Sequence, residues 1–260
     1  MTRKNIYAFL SVPAFGMMYL FTAIMIVAGL PFLFLRIKPV VKEMMRFWAK
    51  GIFYIIGKKM HVRGIENLDK KKHFILLANH SSLFDIIAIV SVIPDIAWFG
   101  HERLMKIPVF RRVLKLTGYI PMRKATYRNT KEMINQLIAS SAENNIAIFP
   151  EGTRTLDGKM NDFYRGFIIL LKSSQINVLP VTLNGFYRLK PKNHSYIDFS
   201  ASLEMVIHKL IPGSELINKT DDEIAAKVKS EIESALVYDM DISYENELIL
   251  KPEPTKNGQR

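Results

Sequence analysis

Hydrophobic and polar positions divide the chain into an unbroken apolar opening and a longer alternating body. Asn5 to Leu35 contains no charged residue, and its 31 residues would make a helix of ~46 Å against a hydrocarbon core of ~30 Å. That run is too apolar for a water-facing helix and longer than the apolar region of a cleavable signal peptide. Two attachments fit it: one tilted membrane span, or a re-entrant pair of short helices broken near Pro13/Gly16 or Gly29/Pro31. Phe47 to Ile56 sets Phe47, Trp48, Ile52, Phe53 and Tyr54 among Lys50, Lys58 and Lys59. It reads either as an amphipathic segment at a bilayer interface or as an ordinary core helix.

After Gly64, short apolar runs alternate with helical periods. Strands are expected at Phe74–Ala78, Ile96–Phe99, Tyr119–Met122, Ile146–Phe149 and Val178–Leu183, with two more inside Tyr196–His208. Helices are expected near Ile86–Val92, Leu104–Leu116, Tyr127–Ala142 and Phe163–Ser173. Thr220-Asp221-Asp222-Glu223 is a capping box that opens a last helix running to about Tyr238. The alternation predicts an α/β fold: a mixed or largely parallel central sheet flanked by helices, with an N-terminal membrane-attached helical segment. The expected organisation is an anchoring region over residues 1–60, an α/β domain over 61–250 and a polar tail over 251–260.

Composition narrows the chemistry. The 260 residues are 49% hydrophobic, ample for a core, and contain no cysteine, which removes disulfides, thiolate metal sites and a cysteine nucleophile. The net charge of +12 is uneven: Arg36 to Lys72 holds eleven Lys/Arg against three Asp/Glu, whereas Ser214 to Arg260 holds six against eleven. Basic charge beside an apolar opening suits an anionic membrane surface, and no nucleic-acid recognition motif accompanies it. Arg3 and Lys4 before the apolar run, and Arg36, Lys38, Lys42, Arg46 and Lys50 after it, place the body of the protein on the cytoplasmic side.

Leu76–Asp85 carries the first candidate site. Its apolar strand ends at Asn79-His80-Ser81-Ser82, so His80 falls at a carboxyl strand end, where open α/β sheets place ligands. Asp85 then lies in the first turn of the next helix, able to reach back to the imidazole. A carboxylate on one ring nitrogen leaves the other free as a general base, which suits deprotonating a hydroxyl. Ser82-x-x-Asp85 is also a capping box, which would explain the aspartate without chemistry. The second candidate is Phe149-Pro150-Glu151-Gly152-Thr153-Arg154, again at a strand end. A glycine there admits backbone N–H groups to an oxyanion, and Arg154 supplies a planar fork for phosphate; a structural turn with a salt bridge is the alternative. Gly118 to Lys124 places Arg123 and Lys124 after a strand. Val178-Leu179-Pro180-Val181 is a buried-looking strand whose proline demotes it to an edge or bulge. His61, His73, His101, His194 and His208 have no metal-ligand spacing.

Taken in this order, the four stretches resemble the glycerolipid acyltransferase family that includes the lysophosphatidic acid acyltransferases. Asn79-His80-Ser81-Ser82-x-x-Asp85 is similar to the family's first motif, Gly118-x-Ile120-x-x-Arg123 to its second, Phe149 to Arg154 to its third and Val178 to Val181 to its fourth. The likeness spans roughly Ile75 to Asn184. It implies that His80 is the base and Asp85 its orienting partner, acting without metal or cofactor. It also implies that Arg123, Glu151, Gly152, Thr153 and Arg154 hold a glycerol-phosphate, with Arg165 as a further basic contact. The implied reaction moves an acyl group from acyl-CoA or acyl carrier protein to the sn-2 hydroxyl of 1-acyl-glycerol-3-phosphate. Met122 stands where such enzymes often carry an acidic residue, which leaves glycerol-3-phosphate or another lysophospholipid as alternative acceptors. A non-catalytic lipid-binding membrane protein is the alternative of another class. Either donor is anionic and would suit Lys106, Arg111, Arg112 and Lys115.

Overall fold

Burial on both faces is what the Phe74–Ala78 run requires, and the computed structural model places it at the centre of a seven-stranded sheet. The structure describes residues 2–69, 73–106, 108–122, 127–141 and 144–238. Two helices come first, α1 (Arg3–Phe34) and α2 (Lys38–Ile55), followed by β1 (Met60–Arg63), β2 (Phe74–Ala78), α3 (Phe84–Val92) and β3 (Ala97–His101). The middle of the chain supplies α4 (Pro108–Leu116), β4 (Ile120–Met122), α5 (Tyr127–Ser141), β5 (Ile146–Ile148), α6 (Gly166–Ser174) and β6 (Asn177–Asn184). It closes with α7 (Phe186–Leu189), β7 (Leu203–Ile207), α8 (Gly213–Leu216) and α9 (Asp221–Glu233). The strand order is β1-β7-β6-β2-β5-β3-β4, and every pairing is parallel except β6 with β7.

The two-residue period of β2 feeds two cores. Phe74, Leu76 and Ala78 pack with Ile52 and Phe53 of α2 and Ala88 and Ile89 of α3. Ile75 and Leu77 face the other way, against Phe167 and Ile168 of α6 and Ile224, Val228 and Ile232 of α9. Thr220 caps α9 through the reciprocal bonds with Glu223 that the sequence predicts.

Several expectations are corrected. Pro180 lies inside an interior strand, not an edge, because β6 is flanked by β2 and β7. Its missing N–H is accommodated by a bulge opposite: Val181 pairs with Ile207 but Val178 with Ile211, so four steps on one side face three on the other. The Pro180 carbonyl is not open to a ligand, since His208 N–H donates to it at 3.0 Å. Tyr196 to His208 contains one strand rather than two, and β1 was not anticipated. The proposed polar tail lies outside the described residues.

α1 is one helix through Pro13 and Pro31, not a broken re-entrant pair. In an apolar setting the carbonyls freed by a helix break find no water, so continuing the helix at the loss of a single bond is the less costly course. It is long and apolar enough to cross a membrane, yet only 11% of its most apolar window is buried, so it is not a core helix. It is nevertheless tied to the body along its length. The Tyr7 and Phe199 rings meet edge-on, and Ile197 N–H donates to Ser11 Oγ at 2.8 Å. Further along, Trp48 Nε1 of α2 donates to Thr22 Oγ1 at 3.0 Å, and the Arg112 guanidinium of α4 lies over the Phe34 ring.

Candidate active site

The end of β2 hands the chain to a five-residue turn, Asn79 to Leu83, whose geometry is set by one carboxylate. Asp85 is fully buried, and its Oδ2 accepts the backbone N–H of Ser81 at 2.7 Å, that of Ser82 at 2.8 Å and His80 Nδ1 at 2.8 Å. The capping and the orienting readings of Asp85 are therefore both true of the same oxygen. Ser82 Oγ does not complete a reciprocal box, because the N–H it accepts is that of Phe84, at 3.3 Å, and not that of Asp85; it donates in turn to Lys190 O at 2.7 Å. A carboxylate already taking two N–H donors is an acceptor, so His80 carries its proton on Nδ1 and presents a lone pair at Nε2.

Phe149 fixes the plane of that ring. It stacks on His80 with centroids 3.8 Å apart and planes 10° from parallel, and Trp98 leans on its far side at 5.6 Å. Asn79 anchors the turn to the neighbouring strand, its side chain accepting from Leu183 N at 2.8 Å and donating to Leu183 O at 2.9 Å.

Glu151 departs from its expected role. Its carboxylate is buried and consumed by the protein: one oxygen accepts His80 N–H at 2.7 Å and the other Asn161 N–H at 2.8 Å. Burial pushes this carboxyl up to about 7. It ties the loop after β5 to the backbone of His80, with both of its oxygens engaged within the protein. Gly152 has φ of +66°, and a Cβ there would meet the Tyr164 ring at 2.9 Å. Its N–H is donated to Phe149 O at 3.0 Å, so it is not turned to an oxyanion.

Thr153 is exposed and Arg154 half-buried, the latter next to Thr155, whose N–H donates to His80 O at 2.9 Å. Arg165 is directed to Asp222 at the start of α9, at 2.9 Å, rather than presented as an unpaired cation. Arg123 lies outside the described residues. Beside the turn is a small void of about 10 Å³ lined by Asn79, His80, Ser81, Glu151 and Thr155 among others, with room for about one water. Asn79 and Phe149 each stand at the head of a stretch that the sequence singles out, although neither is given a role there, and Lys190 carries no such signal.

This is a largely parallel α/β sheet with a His–Asp pair at a strand end and the Arg154-bearing loop of the neighbouring parallel strand beside it. Residues 59–184 match the family model described as Acyltransferase, so that stretch is an Acyltransferase domain. It is 26% identical over 220 residues to the chloroplastic 1-acyl-sn-glycerol-3-phosphate acyltransferase LPAT1 of Arabidopsis thaliana, an alignment covering 81% of this chain and 61% of that protein. With the 1-acyl-sn-glycerol-3-phosphate acyltransferase of Borreliella burgdorferi it shares 31% over 167 residues, 64% of this chain and 66% of that one. The chain thus spans a little under two thirds of these relatives. Its fold is that of the LPA acyltransferase PlsC from Thermotoga maritima, with a TM-score of 0.75 at 23% identity over 97% of this chain and 100% of the other.

Proposed function

We propose that this chain is a 1-acylglycerol-3-phosphate O-acyltransferase that forms phosphatidic acid from an acyl thioester. The observation that carries the reading is the His80–Asp85 pair at 2.8 Å, with the imidazole clamped by Phe149 and Nε2 left free. His80 Nε2 takes the proton from the sn-2 hydroxyl as its oxygen attacks the thioester carbonyl. Asp85 stabilises the resulting imidazolium. The tetrahedral intermediate collapses by breaking the C–S bond, and the imidazolium returns the proton to the leaving sulfur, giving ester and free thiol. Each step uses side chains of this chain. Arg154 faces the acceptor's phosphate; the activity for which the relatives are named supports that choice of acceptor.

Acyl-CoA and acyl carrier protein both fit the donor role, since the exposed cations Lys106, Arg111, Arg112 and Lys115 suit either anionic carrier. We place the protein at the cytoplasmic face of a membrane, with α1 lying along one leaflet. Ser11 and Phe34, ~35 Å apart along the helix, both touch the body, beside the 196–201 loop and the basic α4 respectively. A spanning helix would put those two polar regions on opposite sides of the hydrocarbon. The test is thiol release by purified protein from each donor, with and without 1-acyl-glycerol-3-phosphate. Release that requires the acceptor supports the reading and identifies the donor; acceptor-independent release, or none from either donor, contradicts it.

A further inference from the structure

Two cationic residues rise from backbone that the His80 turn itself holds in place. On one side Thr155 N–H donates to His80 O at 2.9 Å, fixing the residue next to Arg154. On the other, Ser82 Oγ donates to Lys190 O at 2.7 Å, fixing the residue that ends α7. The two supports are also packed on each other. Tyr187 Oη, one turn before Lys190, donates to Leu156 O at 2.9 Å, and a Cβ on Gly158 would come within 3.1 Å of the Tyr187 ring.

Neither charge is met by a carboxylate among the described residues, although several other cations are. Arg63, Lys172 and Lys229 each reach a carboxylate. Among the described residues Arg154 and Lys190 reach none, and Lys190 Nζ donates to a backbone carbonyl, His194 O, at 2.6 Å. Both side chains are half-buried. Partial burial and then the charge of Arg154 hold Lys190 below the ordinary lysine range, as like charges held close together require. An anion shared by the two would relieve that repulsion, with the guanidinium giving a fork and the ammonium a point charge.

We propose that Lys190 is a specificity-determining residue of the acceptor site, binding the phosphate monoester together with Arg154. This rests on the acyltransferase reading above, and it extends the site beyond the family match, which ends at Asn184. Serine 82 then has two duties: its N–H steadies Asp85, and its hydroxyl steadies the backbone of the phosphate-binding lysine. The base and the phosphate anchor are set from one turn.

The experiment compares wild type, Lys190→Met and Lys190→Arg on 1-acyl-glycerol-3-phosphate and on the 1-acylglycerol of the same chain, which lacks the phosphate. Lys190→Met should raise KM for the phosphorylated acceptor by about tenfold to a hundredfold, the range of one charge-assisted hydrogen bond. Turnover of 1-acylglycerol, KM for the donor and kcat should stay within about twofold of wild type, and Lys190→Arg should restore most of the affinity. Inorganic phosphate should compete with the acceptor less well in the Met variant. An unchanged acceptor KM, or an equal loss on both acceptors with a lowered melting temperature, would overturn the proposal and leave Lys190 a structural tie to His194. If wild type transfers no acyl group, the acyltransferase reading fails. Titration of inorganic phosphate then decides Lys190 by itself: weaker binding by the Met variant supports the anion site, and equal binding overturns it.

Discussion

Glu151 and His80 are joined through the backbone: the buried carboxylate of the first accepts the N–H of the second at 2.7 Å. A residue of the loop that carries Arg154 thus acts on the base, and its second oxygen holds Asn161. A glutamate that looks like a substrate ligand in the sequence is a strut between the two motifs.

That strut should show in kinetics. Glu151→Gln keeps one acceptor oxygen but turns an amide N–H toward a backbone N–H. Above about pH 7, where the carboxylate is ionised, it should lower kcat by about tenfold or more, as expected for losing a charge-assisted bond, while acceptor KM changes less than about threefold. A raised KM with unchanged kcat would instead put Glu151 in contact with the acceptor.

The same carboxyl should make stability depend on pH. Its folded value, about 7, lies above the ordinary 4.5, so between those pH values the folded protein holds a proton that the unfolded chain has released. Stability from this group should therefore fall as pH rises from about 4.5 to 7, by on the order of 3 kcal/mol. Urea unfolding in detergent at pH 5 and pH 7.5 should show that fall in wild type and a flatter difference in Glu151→Gln. Equal slopes would mean that the carboxyl is not perturbed.

Phe149 holds the imidazole plane by stacking at 3.8 Å. Phe149→Ala should cost about tenfold to a hundredfold in kcat, the penalty of a loosened catalytic group, whereas Phe149→Tyr should stay near wild type. If Ala and Tyr behave alike, the stack has no role in positioning.

Because the chain contains no cysteine, single cysteines introduced on α1 give unique labels. Spin labels at Val12→Cys and Val27→Cys, both exposed apolar positions, should report similar depths in one leaflet. Labels accessible from opposite faces of the bilayer would establish a span and refute the in-plane helix.

Much of this was legible in the chain. Phe74–Ala78 could be read as a doubly buried strand because its apolar run has strand length and ends abruptly at Asn79. His80 and Asp85 could be paired because their five-residue separation crosses a strand end into a helix turn. What could not be read depended on contacts distant in sequence. Asn79 reaches across 104 residues to Leu183, Ser82 across 108 to Lys190 and Glu151 back across 71 to His80. Pro180 misled because proline argues against a central strand, and only the opposing bulge, formed after β7, makes room for it. The continuity of α1 through two prolines depended on its surroundings, which local pattern does not encode.

The most direct measurement is acceptor-dependent thiol release in wild type, His80→Ala and Asp85→Asn, with folding checked by melting in detergent. His80→Ala should abolish release in folded protein. Asp85→Asn, which keeps the shape but removes the negative charge that stabilises the imidazolium, should lower kcat by about a thousandfold or more. Folded His80→Ala protein that still releases thiol at the wild-type rate would contradict the assignment of His80 as the base.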